Sequence, residues 1–568
     1  MKRVSTDFYE NLSAQRKELQ ELGHLPQWYT TQAWQMFSTK YAVEGEEALL
    51  GRHKKIAKTL AGYMPDDGID WEQKFFDLMW QGILSPASPV LSNVGTDKGM
   101  PVSCSGQYVG DSVDSFYSNL HETAMLSKMG FGCSADFSAV RPRGASISTG
   151  GKANGVVPVI DDFFTCAAKI SQGGARRGST AAYLDIEHAD FPEALASMLE
   201  MPDGKNYGWI VKDSFIERLK AGDEDAEYRF KEALHAKLVT GGGYFFFLDK
   251  ANRHRPEMYK EHGLDIKASN LCSEIMLHSS EELSFSCILS SLNLVHWDTI
   301  KATDAVFTAT VFLDCLVSYF LDQSTDVRGL EKVREFTEKG RAIGLGVMGF
   351  ATYLQNNDMP YAALESMYLN GEIFKHIHDE SLRASQYLAD LLGEPEWCTG
   401  HGVRNTHRTA LAPTKSTSLL MGGVSESVFP DPACVFVAGS SAGELNRITP
   451  RFYELMKKYG KYTKETVTDV TNRGGSVQHL DWLTDRERLS LLTAFEIDQA
   501  VLIRYAADRQ KYLCQGQSLN LFISADDNGD QIADLMTEVF LNEDILSQYY
   551  VYSKHGVVVS EECIPCSG

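Results

Sequence analysis

Asn270-Leu271-Cys272-Ser273-Glu274 is the stretch on which the reading of this chain turns. Alternate side chains of an extended segment share a face, so the spacing predicts a strand or stretched loop on which Asn270, Cys272 and Glu274 converge. In a helix the thiol would point roughly opposite to its two neighbours. A buried thiol beside an amide and a carboxyl is a chemical toolkit. Taken alone, it is equally a core cysteine in an Asn/Glu-flanked turn, and the rest of the chain has to decide.

The 568 residues correspond to about three to four average domains, although large α/β barrels exceed that rule as single units. An apolar fraction of 43% and a charged fraction of 23% are ordinary for a soluble globular chain. Lysine and arginine number 54 against 76 acids, a net charge of −22 that repels nucleic-acid phosphates and argues against DNA or RNA binding. The first twenty residues carry charge but no apolar core, so they do not read as a signal peptide. The most apolar stretch, 305–321, contains Asp314 and reads as a core helix, not a membrane span. Eleven cysteines without an export signal point to a reducing, cytoplasmic setting, where thiols are buried, catalytic or metal-binding more often than paired.

Residues 1–80 read as a helical layer of mixed charge, and from 81 onward short apolar runs, glycine turns and helices alternate as in an α/β architecture. The strand candidates are 156–160, 243–248 and 344–347; the helix candidates are 116–128, 190–199, 212–221, 307–320 and 366–392. Polar stretches at 222–227, 250–263 and 525–530 read as surface connections.

Four further segments carry information. Ser171 to Thr180, with paired glycines and the adjacent Arg176 and Arg177, suits a loop against a nucleotide or an ordinary basic turn. Ala412 to Ser418 supplies hydroxyls and backbone N–H groups at a proline-started helix, a natural phosphate site but a common motif. Arg341 to Phe350 is glycine-spaced and apolar without the GxGxxG spacing, so close strand packing is its expected role. At the C-terminus, Cys563 and Cys566 suit a dithiol that exchanges with a disulfide, or half of a zinc site with no second CxxC nearby. Just upstream, Tyr549-Tyr550 is an adjacent phenol pair or a packed strand end.

In order along the chain, Ser85-Pro86-Ala87-Ser88-Pro89, Ser103-Cys104-Ser105, 111–115, 171–180, Asn270 to Glu274, Ser286-Cys287, 341–349, Pro413 to Ser418, Tyr549-Tyr550 and the terminal cysteine pair form one pattern. It resembles that of the large catalytic subunit of ribonucleotide reductase. The resemblance implies an α/β fold: a ten-stranded barrel over 81–553 made of two five-stranded halves, with the Cys272 loop rising through its centre. A helical region over 1–80 precedes it and a redox tail over 554–568 follows.

The resemblance also implies roles. Cys272 carries a thiyl radical, Glu274 is the general base, Asn270 positions the ribose, and Cys104 and Cys287 supply two electrons while closing to a disulfide. Cys563 and Cys566 then reduce that disulfide and are reset by a thioredoxin- or glutaredoxin-like protein. Ser88, Ser103, Pro413, Thr414, Ser416, Thr417 and Ser418 surround the substrate. Asp111, Arg141, Arg176 and Arg177 belong to a specificity site that takes a deoxynucleotide or ATP at a homodimer interface. Tyr549 and Tyr550 pass the radical from a ferritin-like, metal-containing partner subunit, so no metal or organic cofactor is expected in this chain. An adenosylcobalamin-dependent enzyme is the alternative, and the glycyl-radical class fits poorly. Residues 1–80 show no ATP-cone pattern, so control of specificity without an overall on/off switch is expected. A small thiol–disulfide oxidoreductase would place its CxxC at a helix start, and an inactive nucleotide-binding regulator would have lost the thiols.

Overall fold

The computed structural model describes residues 6–172, 176–440, 443–524 and 529–553. Four helices open the chain: α1 (Thr6–Glu21), α2 (Thr31–Lys40), α3 (Ala48–Ala61) and α4 (Trp71–Trp80). They pack their aromatic and aliphatic faces against a short helix, α5 (Ser88–Asn93). Arg52 of α3 is fully buried and donates from Nε to the carbonyl of Leu91 at 2.7 Å and from Nη2 to that of Val94. A buried guanidinium needs such partners because its desolvation is costly; here it ties the helical layer to the C-terminal end of α5.

The barrel follows from two sets of parallel lanes. In the first, β2 (Cys104–Tyr108), β3 (Gly132–Asp136), β4 (Thr180–Asp185), β5 (Asn206–Val211) and β6 (Tyr244–Phe247) pair in parallel, in that order, after the short β1 (Leu84–Pro86). Helices α6 (Val113–Lys128), α7 (Val157–Lys169), α8 (Phe191–Glu200), α9 (Asp213–Lys220) and α10 (Glu224–Thr240) make the crossovers. Strands covered on both sides read as continuous apolar runs, as Tyr244-Phe245-Phe246-Phe247 does.

The second set starts with β7 (Phe285–Asn293), which pairs in parallel with β8 (Ile343–Met348). Parallel bridges Leu345↔Thr409 and Leu411↔Gln517 continue it, and 521–523 runs parallel to 551–553. The two sets meet antiparallel at two seams, β2 against β7, and β6 against β9 (Ser547–Gln548). Ten lanes thus close the barrel, as the resemblance implied, although two lanes are reduced to bridges and short segments.

Gly344 permits the tight β7–β8 contact: a Cβ there would lie 2.4 Å from Leu289 Cδ2 and 3.3 Å from Cys287 Sγ. The glycine-spaced run at 341–350 therefore packs a strand closely, as its spacing predicted. At its start, Asp314 is buried and held by Arg341, Arg404 and Asn405 at 2.9–3.0 Å. Asp314 lies on the apolar helix Ala305–Gln323, 83% of whose most hydrophobic window is buried inside the fold. That matches the core helix anticipated for this stretch.

Several local expectations fail for identifiable reasons. Residues 156–160 open α7 instead of forming a strand, because Pro158 in the first turn outweighs the β-branched run. The stretch 250–263 holds two helices, Leu248–His254 and Glu257–Glu261, and Lys250 is buried, donating to the carbonyls of Phe540 and Asn542. Of 222–227 only the first residues are a connection, since α10 begins at Glu224, capped by Asp223. Residues 525–528 lie outside the described residues, and 529–530 already belong to the helix Gly529–Leu541.

Candidate active site

The Cys272 segment enters the barrel between β6 and β7 and is pinched at its base by an antiparallel bridge, Ile266↔His278. Its tip is a turn, not the extended segment that the spacing suggested. The Ser273 amide bonds the carbonyl of Asn270 at 3.2 Å, and Ser273 takes φ of +64°. Asn270 makes the turn from within: its Oδ1 accepts the amides of Glu274 at 3.0 Å and Ile275 at 3.1 Å. Short polar side chains favour this self-bonding over regular structure. Asn270, Cys272 and Glu274 converge because the chain folds back on the Asn270 amide, and strand alternation plays no part.

Groups from several lanes hold the tip. The Tyr183 hydroxyl of β4 donates to the Asn270 carbonyl at 2.7 Å, and Ser134 of β3 to that of Ser269 at 2.8 Å. Ser518 donates to the Cys272 carbonyl at 2.6 Å, and Ser547 to that of Ser273 at 2.7 Å. The Gly516 amide donates to the Glu274 carbonyl at 2.9 Å, and a Cβ at this glycine would lie 3.2 Å from that same oxygen.

Three thiols come together around this tip. Cys104 and Cys287 are direct partners across the antiparallel β2–β7 seam. Opposite residues in such a ladder have Cα atoms about 4.5–5.5 Å apart, inside the range of about 4.4–6.8 Å that a disulfide requires. All three are buried. Asn270 Nδ2 donates to Cys104 Sγ at 3.2 Å, and Gln515 Nε2 to Cys287 Sγ at 3.7 Å. Burial pushes the Cys287 thiol upward, and the nearby Glu274 adds to it, so the site keeps this sulfur protonated.

Glu274 is the one carboxyl at the tip. Burial raises it from the ordinary 4.5 to about 7, opposed by hydrogen bonds from its own amide, Asn270 and Ser518. Its Oε2 lies 3.1 Å from the Ser518 hydroxyl, while the buried Oε1 has no hydrogen-bond partner. A carboxyl poised near neutrality with one free oxygen suits proton transfer.

On the opposite seam, Tyr549 is buried and Tyr550 partly so, their ring centroids 4.3 Å apart. Tyr244 of β6 completes a cluster: its ring lies 4.7 Å from Tyr549, and its hydroxyl donates to that of Tyr550 at 3.1 Å. Cys272 and Tyr549 belong to the same buried cluster. Lys237, fully buried, donates to the carbonyls of Tyr549 at 2.5 Å and Gly243 at 2.9 Å.

The other sequence-derived positions fall as follows. Ser88 begins α5 and shares a 2.6 Å hydrogen bond with the Tyr41 hydroxyl, and the buried Ser103 Oγ has no partner. Pro413 precedes the helix Lys415–Leu420, in which Thr417 and Ser418 donate to the carbonyls of Thr414 and Lys415, and Thr414 Oγ1 accepts from the Ser427 amide. Ser416 is buried in the same turn. Asp111 and Arg141 pair at 2.7 Å near the surface. Arg176–Arg177 pairs antiparallel with Ser171–Gln172, while Cys563 and Cys566 lie outside the described residues. Among the described residues no group of three or more His, Cys, Asp or Glu side chains is placed to hold a metal ion.

Sequence reasoning passed over Gln515, Ser518, Tyr183, Tyr244 and Lys237. A signal existed for the first two: Gln515-Gly516-Gln517-Ser518-Leu519-Asn520 is a run of amides and a hydroxyl leading directly into an apolar strand. Buried polar runs of that kind need partners.

Fold and site together define an α/β-barrel enzyme built around a thiol-bearing central loop. The family described as "Ribonucleotide reductase, barrel domain" matches residues 102–229, 224–399 and 395–543, and "Ribonucleotide reductase, all-alpha domain" matches 27–99. The chain belongs to the ribonucleotide reductase family, as a large subunit. A Frog virus 3 (isolate Goorha) protein named as a ribonucleoside-diphosphate reductase large subunit is 32% identical over 531 residues, covering 89% of this chain and 91% of its own. The vitamin B12-dependent ribonucleoside-diphosphate reductase of Thermoplasma acidophilum is 29% identical over 534 residues, 84% of this chain and 67% of that protein. The Actinobacillus ureae class Id ribonucleotide reductase alpha subunit superposes with a TM-score of 0.85 at 36% identity, over 95% of this chain and 99% of that one.

Proposed function

We propose that the chain reduces ribonucleoside diphosphates to 2′-deoxyribonucleotides by a thiyl-radical mechanism. Cys272 abstracts the 3′-hydrogen as a radical, and Glu274 takes the 3′-hydroxyl proton on its free Oε1. The 2′-hydroxyl leaves as water. Cys104 and Cys287 give up two electrons and two protons as their sulfurs join, one proton leaving with the 2′-hydroxyl as water and the other ending on C2′; Glu274 returns its proton to the 3′-oxygen, and Cys272 returns its hydrogen to C3′ to regenerate the radical. Asn270 orients the ribose. Ser88, Ser103 and Pro413 to Ser418 bind the substrate, with backbone amides and hydroxyls meeting its phosphates. Cys563 and Cys566 reopen the Cys104–Cys287 disulfide by thiol exchange and are reset by a thioredoxin- or glutaredoxin-like protein. The observation that carries this reading is the facing Cys104–Cys287 pair beside the Cys272–Glu274 turn.

The radical comes from a ferritin-like, metal-containing partner subunit. The ring contacts of Tyr244, Tyr549 and Tyr550, in the buried cluster that includes Cys272, support an external source. Diphosphate use is supported by the names of the viral relatives. Asp111, Arg141, Arg176 and Arg177 form the specificity site at a homodimer contact, which the exposed Val113 and Tyr117 of α6 favour.

Cys272→Ser is the direct test: deoxynucleotide formation falls to background while nucleotide binding stays within about twofold, and residual turnover in that variant removes the thiyl step. Wild-type chain assayed with adenosylcobalamin alone is expected to be inactive, and active once the partner subunit is added. Turnover with the cofactor alone transfers the chain to the B12-dependent class.

A further inference from the structure

Ser518 sits where the two chemical groups of the central turn meet. Its Oγ lies 2.6 Å from the carbonyl oxygen of Cys272 and 3.1 Å from Glu274 Oε2, and the residue is 3% exposed. A serine hydroxyl has one hydrogen to give and lone pairs to receive. We propose that Ser518 is a positioning residue that aims the free oxygen of Glu274 at the substrate and couples the arrival of a proton there to the grip on the Cys272 turn. The proposal rests on the reading of Glu274 as the general base.

The coupling follows from counting hydrogens. With Glu274 protonated on Oε1, where the 3′-hydroxyl proton arrives, Oε2 is an uncharged and weaker acceptor, and the Ser518 hydrogen goes to the closer Cys272 carbonyl. With Glu274 ionised, two acceptors claim the single hydroxyl hydrogen. The charged one is the stronger acceptor, so the bond to the Cys272 carbonyl is given up. A proton taken from the 3′-hydroxyl, once on the carboxyl, restores that bond.

The titratable and charged groups around Glu274 do not supply this link. Cys287 on β7 is a protonated thiol, Cys104 on β2 is bonded to Asn270, and Tyr183 on β4 donates to the Asn270 carbonyl. The guanidinium of Arg509, on the helix Gln499–Gln510, is spent on Gln517 Oε1 at 2.7 Å and Asn370 Oδ1 at 3.0 Å.

The test is the pH dependence of kcat/KM for enzyme reconstituted with its radical-generating partner subunit. In Ser518→Ala the ionised carboxyl loses its donor, so the ascending limb moves to higher pH by about one unit, with little change in KM. Ser518→Thr keeps the hydroxyl and the wild-type limb. Ser518→Cys, with a weaker donor of similar size, shifts the limb in the same direction by less. An unshifted limb in Ser518→Ala, or a loss equal at every pH, overturns the proposal. Glu274→Gln separates the two readings: an inactive Glu274→Gln beside an unshifted Ser518→Ala sinks only the role of Ser518. An active Glu274→Gln removes the base itself.

Discussion

Glu274 holds its position at the expense of stability. Its folded-state pKa of about 7 exceeds the unfolded 4.5, so its contribution is fully present below pH 4.5 and is lost as pH rises through 7. A shift of that size corresponds to roughly 3 kcal/mol. Glu274→Gln, which carries no charge to desolvate, is therefore expected to be inactive yet to gain stability over wild type as pH rises. The two should melt with a constant offset below about pH 4.5 and diverge by several degrees by pH 8 in calorimetric scans. A parallel pH dependence of the two melting temperatures would mean that the buried acid is not under strain.

At the scale of elements, the β7–β8 contact is the least forgiving joint next to the thiols. Gly344→Ala places a methyl against Leu289 and beside Cys287. Overpacking of this kind costs about 1–3 kcal/mol, and here it also crowds one sulfur of the reducing pair. Turnover is expected to fall several-fold further than stability alone explains, with a slower single-turnover burst in the absence of reductant. A burst equal to wild type would show that Leu289 absorbs the methyl. The same joint shows what the sequence discloses. Glycine spacing announced close packing around 344–346, and the family resemblance, not the spacing of the cysteines, implied a thiol set of Cys104, Cys272 and Cys287. The turn at 270–274 was hidden, because its driving force is one side chain bonding its own backbone and not a periodic pattern. Ser518 and Gln515 were hidden because their partners lie more than two hundred residues away in the chain.

Over the whole molecule, the helical layer of residues 6–80 acts as a brace: Arg52 and Tyr41 grip opposite ends of α5, the helix that begins at Ser88. We expect this layer to hold the substrate side of the barrel without reading the nucleotide pool. A dATP titration of the reconstituted enzyme should change which base is reduced while leaving total reduction of the favoured substrate above half its maximum. Complete inhibition of all four reductions would locate an overall switch in these 568 residues.

The antiparallel seams are the two places where the direction of the lanes reverses, and residues on facing strands of an antiparallel ladder stand directly opposite one another. One seam holds Cys104 and Cys287; the other lies beside the edge-packed phenols of Tyr549 and Tyr550. On the proposed reading the barrel is a two-terminal device, with reducing equivalents loaded at one junction, an oxidising hole delivered at the other, and the Cys272 turn as the contact between them. Parallel lanes separate the terminals, and the buried cluster that holds Tyr549 contains Cys272 but neither Cys104 nor Cys287, so on that reading the hole is delivered to the Cys272 turn and not to the dithiol that would quench it.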